Sequence, residues 1–337
     1  MTEVVVARDP RDLELMEVAL AAADGIGRGV SPNPGVGAVI ETADGRRFVG
    51  QTQPPGGAHA EIIALRAVVA AGAATAGATL ATTLEPCNHT GRTGPCAEAI
   101  LDAGITRVLV GLRDPDPLVA GTGIARLRHA NVEVAEGVCA DGVEEQLAFY
   151  LHHRRTGRPF VTLKLAASLD GRTAAPDRTS QWITSPDARV DAHRLRAAHD
   201  AILVGARTVR DDDPTLTVRH VDGPNPRRIV VGAVSAHAKV RPCDEVSGPL
   251  PAILDRLGSE GVLSLLVEGG ATIAASFHAL DLIDSYVMYI APALFGGDDA
   301  LGLFRGAGAS TIADVMRGTF RSVERIGPDL KIVMQRR

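Results

Sequence analysis

One constellation restricts this chain more than any other feature: His59-Ala60-Glu61, then Glu85-Pro86-Cys87, then Pro95-Cys96. One imidazole and two thiolates are three zinc ligands. A tetrahedral ion held by three protein ligands leaves its fourth position to water, which is the layout of a catalytic site. Any fold of the first half must therefore bring three separate segments to one point. His59 follows a Pro/Gly loop (Pro54–Gly57) and precedes an apolar run from Ala60 to Ala71 that reads as a helix. Cys87 leaves a strand expected over 78–84. Pro95 suits a first helical position, which puts Cys96 in the first turn, where the positive end of a helix favours thiolate over thiol. A lone His-x-Glu is more often solvent-facing, and two cysteines are more often core residues. The proline before each cysteine and the strand-loop-helix frame outweigh those readings.

Glu61 stands beside the histidine ligand without being one. Zinc lowers the pKa of its water towards neutrality. Attack on an amidine-like ring carbon also needs a group to take the water proton and pass it to the ring nitrogen and the departing ammonia. Glu61 is placed for that work, so the first half reads as a zinc-dependent hydrolytic deaminase of a nucleobase-like ring. Base deaminases carry the same pattern with two residues between the cysteines; here eight, Asn88 to Pro95, intervene.

The 337 residues suffice for two domains. Helices are expected over 11–28, 60–71, from Pro95 to Ala103, 121–130 and 141–153. Strands are expected at 36–40, 78–84, 107–111 and 132–135, with a hairpin turn at Ala43–Arg46. Their alternation implies a mostly parallel sheet covered by helices. The run His152–Pro159 reads as a helix end and linker rather than a nucleic-acid patch. It divides a domain 1–150 from a domain 158–337. In the second half strands fall at 160–166, 201–205, 228–232, 263–267 and 283–291. Ser185 and Pro186 open a helix as cap and first residue. No G-x-G-x-x-G follows the first of these strands, so a Rossmann fold is not indicated. Glu268-Gly269-Gly270-Ala271-Thr272 follows an apolar strand and opens a helix, where free N–H groups attract phosphate.

The long cysteine spacer Thr83–Cys96, with Pro32-Asn33-Pro34 upstream and Asp114-Pro115-x-Pro117 downstream, resembles the bifunctional riboflavin-biosynthesis deaminase/reductase family. So do Lys164–Arg172, Ser180–Thr184, Asp212-Asp213-Pro214-x-Leu216-Thr217 and Glu268-Gly269-Gly270 in the second half. The resemblance covers roughly 11–335 in the family's domain order. It implies a cytidine-deaminase-like three-layer α/β/α domain followed by a dihydrofolate-reductase-like α/β domain. It implies two consecutive steps: loss of the 2-amino group of a diamino-ribosylamino-pyrimidinone 5′-phosphate, then NADPH-dependent reduction of ribosyl to ribityl. Zn2+ is bound by His59, Cys87 and Cys96, with Glu61 catalytic. By matching position, Asn33, Arg92 and Asp114 hold the first substrate. Asp116 stands where the family usually has Asn, and its added charge would oppose a phosphorylated substrate. In the second half Ser180, Arg196, Leu216, Arg219 and Glu268 contact substrate, the two arginines suiting its phosphate. Ala166, Trp182, Thr208, Asp212, Gly270, Ala271 and Thr272 contact NADPH. Lys164 is an electrostatic helper at the carbon being reduced, or else a snorkelling strand-end lysine. Trp182 is equally open to a buried packing role.

Between 233 and 262 the family carries another strand and helix, but the segment here holds Pro242, Gly248, Pro249 and Pro251 with only a short helix near 251–258. No apolar strand is visible before Pro249. The adenosine side of the cofactor site is expected to be incomplete and NADPH to bind more weakly than in relatives with the longer segment. Two other functions compete. One is a tRNA-adenosine or cytidine-type deaminase with an unrelated C-terminal domain; the other is a deaminase whose second half is a degenerate binding or dimerisation module. A net charge of -5 and 3% aromatic residues argue against a nucleic-acid partner. No apolar run reaches membrane length and no signal-peptide core opens the chain, so a cytoplasmic location is expected; a homo-oligomer, a dimer, is expected separately, though nothing in the residues fixes the oligomeric state.

Overall fold

The first helix of the computed structural model, α1 (Pro10–Asp24), forms where both ends are specified. Asp9 accepts the Arg11 N–H at 2.9 Å as N-cap, and Pro10 occupies the first position. Its buried stripe is Leu15, Met16, Ala19 and Ala23. It ends short of the expected residue 28: glycines follow, and a 3-10 turn spans Gly27–Val30. The structure describes residues 9–89 and 94–336. They divide into two compact units, Met1–Gly157 and Arg158–Arg337.

In the first unit the elements after α1 are β1 (Gly37–Glu41), β2 (Arg47–Gln51), α2 (Ala60–Ala70), β3 (Thr79–Leu84) and α3 (Cys96–Asp102). They continue with β4 (Arg107–Leu112), α4 (Thr122–His129), β5 (Glu133–Glu136), α5 (Ala140–Gln146) and α6 (Ala148–Thr156). The helix expected over 141–153 is thus two helices meeting at Leu147, and a domain end at 150 falls inside α6. The sheet order is β2-β1-β3-β4-β5. β1 is antiparallel to both β2 and β3, whereas β3, β4 and β5 are parallel. The expected mostly parallel sheet is therefore half antiparallel, because the hairpin after β1 returns the chain as an extra edge strand.

Two glycines let helices press onto opposite faces of this sheet. A Cβ on Gly37 would lie 1.9 Å from the Ala19 carbonyl of α1, and one on Gly50 would lie 2.1 Å from the Ala60 carbonyl of α2. Gly37 pairs with Gln51 and Gly50 with Ala38, so the two glycines face opposite ways. α5 shares the side of α1, and α3 and α4 follow α2, which makes three layers.

The second unit contains β6 (Phe160–Ser168), β7 (Arg172–Ala174), α7 (Pro186–Ala198), β8 (Ala201–Gly205), α8 (Ala206–Asp212) and β9 (Arg227–Val231). It continues with β10 (Asp244–Val246), α9 (Leu250–Ser259), β11 (Ser264–Val267), α10 (Ala271–Ala279) and β12 (Ser285–Ala291). It ends with β13 (Leu301–Gly302), β14 (Gly318–Ile326) and β15 (Asp329–Arg336). Eight strands form one sheet in the order β10-β9-β8-β11-β6-β12-β15-β14, and β7 pairs with β13 in a small ribbon. The strands from β10 to β12 are parallel neighbours; β15 and β14 add an antiparallel hairpin. α7 begins as its sequence dictates, with Ser185 Oγ accepting the Ala188 N–H at 3.3 Å and Pro186 first.

The segment 233–262 corrects the expectation placed on it. β10 pairs in parallel with β9, and α9 buries Leu250, Ile253, Leu254 and Leu257 at helical spacing against the sheet. The strand-helix unit is present. Its strand is a three-residue edge reading Asp-Glu-Val, of which only Val246 is buried, so it has no apolar signature. The weaker NADPH binding inferred from a missing strand loses its ground. No helix among the described residues is long and apolar enough to cross a membrane.

Candidate functional site

The topology of the first unit gathers four segments at one sheet end. β1 starts beside the end of β3, since Ala38 pairs with Thr82. β2 ends there too, Gln51 opposite Gly37, and β4 ends beside β3, Leu112 opposite Leu84. The loops leaving these strands lead to His59, Cys87 and Asp114, and the turn holding Asn33 enters β1 at the same end. Asn33 is half-buried, its N–H bonded to the Val30 carbonyl at 2.9 Å.

His59 is the N-cap residue of α2, and Cys96 is the first residue of α3. Pro95 caps α3 rather than opening it, so the register is one residue later than expected. His59 Nδ1 lies 3.3 Å from Cys96 Sγ and 3.6 Å from Cys87 Sγ. All three ligand atoms lie within 4.8 Å of one another, the one such His/Cys/Asp/Glu group among the described residues. Tetrahedral zinc with ordinary Zn–N and Zn–S lengths separates N and S by about 3.6 Å. The donor set and its spacing therefore fit zinc.

The first N–H of α3 is spent on the other cysteine, donating from Cys96 to Cys87 Sγ at 3.4 Å. The hydrogen bond from the Cys96 thiol pulls Cys87 below the ordinary thiol range, and His59 adds to this. That N–H at the start of α3 favours negative charge on Cys87. Glu61, 3% exposed in the first turn of α2, is pushed up to about 7 by burial.

Asp114 is buried at the end of β4. Its carboxylate accepts the Tyr150 hydroxyl at 3.1 and 3.2 Å and the Asp116 N–H at 2.9 Å. Burial pushes its carboxyl up, opposed by those hydrogen bonds. Asp116 Oδ2 lies 3.1 Å from Arg154 Nε, so the carboxylate that replaces the expected Asn is countered by a cation on α6. Arg92 lies outside the described residues. Glu85, Tyr150 and Arg154 had been given no role. Glu85 sits inside the quoted motif, while the other two lie in a helix with no local pattern to mark them.

In the second unit a cavity of about 680 Å3 opens at the carboxyl ends of β6, β8 and β11, where parallel α/β sheets commonly bind ligands. Lys164, Ala166, Ser180, Trp182, Arg196, Thr208, Asp212, Leu216, Arg219, Glu268, Gly270, Ala271 and Thr272 all line it. Glu268 and Arg196 form a two-pronged pair at 2.7 and 2.9 Å. Lys164 Nζ stands 3.9 Å from Glu268 and 5.7 Å from the centre of the Tyr289 ring. Burial lowers Lys164, opposed by Glu268. Burial also raises Glu268, but the charge and hydrogen bonds of Arg196, with Lys164, outweigh it and hold Glu268 at about 2. Arg196, read as a phosphate contact, thus has its guanidinium engaged by Glu268. Arg219 is exposed and touches the hydroxyls of Thr215 and Thr217. Trp182 is 68% exposed and stacks 4.6 Å from the Arg189 guanidinium, so it is not a core residue. Leu216 is buried with φ +54, strain of the kind that collects at ligand sites. The Gly270 N–H reaches Thr208 Oγ1 at 3.3 Å, joining the starts of α10 and α8.

The Glu268–Arg196 pair yields a stability prediction. Removing one partner of a buried ion pair typically costs about 3–5 kcal/mol, so Arg196→Ala should lower the melting temperature clearly. Glu268 is held below its ordinary 4.5 at about 2. Its contribution is complete above the ordinary value and is lost as pH falls through the lower one. Acid unfolding of Glu268→Gln should be flatter than wild type across that window; identical acid profiles would contradict the pairing.

Residues 10–112 match the family model for the cytidine and deoxycytidylate deaminase zinc-binding region, and residues 159–332 match the RibD C-terminal domain. The riboflavin biosynthesis protein RibD of Bacillus amyloliquefaciens is 40% identical over 336 residues, spanning 89% of this chain and 90% of that protein. RibD of Mycobacterium tuberculosis is 42% identical over 311 residues, with the same coverage. The solved structure of Acinetobacter baumannii RibD superposes with a TM-score of 0.89 at 33% identity, covering 97% of this chain and 99% of that one. A Thermotoga maritima diaminohydroxyphosphoribosylaminopyrimidine deaminase/5-amino-6-(5-phosphoribosylamino)uracil reductase gives 0.87 at 32%, with equal coverage.

Proposed function

The chain belongs to the RibD family of riboflavin biosynthesis proteins, and we propose that the residues gathered at its two sites divide that family's two reactions between them. It is a bifunctional enzyme. A zinc-dependent deaminase hydrolyses the 2-amino group from 2,5-diamino-6-ribosylamino-4(3H)-pyrimidinone 5′-phosphate, and an NADPH-dependent reductase converts the ribosyl side chain to ribityl. The observation that carries the first half is the His59–Cys87–Cys96 cluster with the buried Glu61 beside it. The rival in which the second half is a degenerate module is not favoured, since the reductase-domain match spans nearly all of it.

Bound zinc supplies Lewis acidity and a water activated near neutral pH. The Glu61 carboxylate would take the water's first proton and deliver it to the ring nitrogen, then take the second from the newly added hydroxyl and pass it to the amine, which leaves as ammonia. Asn33, Arg92 and Asp114 hold the ring and its substituents. Arg154 keeps Asp116 from opposing the substrate's charge.

NADPH supplies the hydride, and the protein's task is orientation and electrostatics. Lys164 holds a cation against the heteroatom that becomes electron-rich as its carbon accepts hydride. Arg196 and Lys164 keep Glu268 ionised and aimed into the cavity. Arg219, with its exposed guanidinium, takes the substrate phosphate, and Ser180 and Leu216 complete that wall. Ala166, Trp182, Thr208, Asp212 and the Gly270-Ala271-Thr272 turn receive the cofactor. Trp182 is the sole tryptophan, so NADPH titration is expected to quench the intrinsic tryptophan emission saturably. Emission unchanged at NADPH concentrations that saturate turnover would remove Trp182 from the cofactor site.

We further propose that the chain acts as a homodimer. β14 is a sheet edge, and a bulge between Phe320 and Ser322 turns Phe320 and Val323, 66% and 57% exposed, onto one face. Exposed apolar side chains on an edge strand invite a partner. Light scattering should give twice the chain mass for wild type and a shift towards monomer for Phe320→Glu; a monomeric wild type would refute the proposal.

A further inference from the structure

Glu85 is a buried carboxylate, 4% exposed, that forms no ion pair among the described residues. Four backbone N–H groups satisfy it instead. Oε2 accepts from Asp114 at 3.3 Å and Gly121 at 2.9 Å; Oε1 accepts from Gly123 at 3.0 Å and Ile124 at 3.2 Å. The donors lie 29 to 39 residues away along the chain. They belong to the segment that leaves β4 through Asp114 and to the first turn of α4. Glu85 itself is two residues before the ligand Cys87. One side chain therefore clamps the loop that carries a zinc ligand to the loop that carries Asp114. The join is tight: a Cβ on Gly123 would lie 1.8 Å from the Pro86 carbonyl, so the start of α4 abuts the backbone between Glu85 and Cys87.

We propose that Glu85 is a positioning residue for deamination, fixing Asp114 at the distance from the zinc ligands that the pyrimidine ring requires. This rests on the reading of Asp114 as a substrate contact. A carboxylate suits the task because each oxygen takes two N–H donors, and hydrogen bonds to a charged acceptor are stronger than those to a neutral one. An amide in its place keeps one oxygen but turns an NH2 towards two N–H groups, which must then separate. The separation moves Asp114 away from the metal without touching a ligand. Asp114 bonds the ring in ground and transition states alike, so its displacement removes uniform binding and appears in KM rather than kcat.

The test is Glu85→Gln in the full chain, with zinc content, deaminase kinetics and reductase turnover of pre-deaminated substrate measured together. Zinc should remain at one per chain, reductase turnover should be unchanged, and the KM for the diamino-pyrimidinone phosphate should rise about tenfold with kcat within about threefold. Gly123→Ala, which pushes α4 from Pro86 without altering the carboxylate, should raise KM in the same direction. If Glu85→Gln does not accumulate folded, Glu85→Asp, which keeps the charge on a shorter stem, is read by the same criteria. Unchanged KM with zinc retained would overturn the proposal. Zinc lost in step with activity would also overturn it, since Glu85 would then support the metal loop alone. Asp114→Asn separates the two claims: if it leaves KM unaltered, the reading of Asp114 fails, whatever Glu85→Gln does.

Discussion

Replacing Glu61 with glutamine is expected to lower the deamination rate by on the order of 100-fold or more while leaving zinc bound. The side chain is 3% exposed and lies in the first turn of α2, two residues after the ligand His59. An amide fills the same space and keeps an acceptor oxygen, so the helix start and the ligands have no reason to move. It cannot accept a proton, however, and hydrolytic loss of an amine needs a base at the water and an acid at the leaving nitrogen. Reduction of pre-deaminated substrate should continue at the wild-type rate, because every residue assigned to that step lines the cavity of the second unit. Loss of both activities together would show that the division into two sites is mistaken.

Cys87→Ser is expected to act one step earlier, on the metal. Zinc held by protein ligands is worth roughly 10–16 kcal/mol at neutral pH. One ligand of three then accounts for about 3–5 kcal/mol, or roughly 10²- to 10⁴-fold in affinity. A serine hydroxyl does not ionise at neutral pH as a thiol beside a metal does. Cys87 also accepts the first N–H of α3 at 3.4 Å, so its loss leaves the start of that helix with a poorer acceptor. Metal analysis after dialysis should find little zinc in the variant and one per chain in wild type. Undiminished zinc would remove Cys87 from the ligand set.

The His/Cys cluster of the first site was legible because it depends on residue types at fixed local positions. His59 before an apolar helix, a proline before each cysteine, and Glu61 two residues from the histidine all follow from short-range rules. The Gly-rich turn after β11 and the Ser185-Pro186 helix start were legible for the same reason. What escaped the sequence depends on partners distant along the chain. Whether β1 lies parallel or antiparallel to β3 is decided by the path of the chain, and nothing within either strand records it. β14 reads as polar because it is an exposed edge, and β10 reads as acidic for the same reason, so neither has the apolar pattern that announces a strand. Arg196 is read as a substrate contact by matching position, its charge suiting the phosphate. Its engagement with Glu268, 72 residues away, appears only when α7 and the end of β11 are brought together. Glu85 was in plain view inside the motif, but its four donors come from a loop and helix that only the fold delivers.

The most direct test of the central claim follows one substrate through the whole chain. The purified protein, loaded with zinc, is given 2,5-diamino-6-ribosylamino-4(3H)-pyrimidinone 5′-phosphate with and without NADPH, and each product is identified by mass. Without NADPH the product should carry oxygen in place of one amino group and nothing more. With NADPH the same product should gain two hydrogens, with one NADPH oxidised for each molecule formed. Amine loss that is never followed by reduction, even at saturating NADPH, would contradict a working second site, and an unaltered substrate in both vessels would contradict the account as a whole.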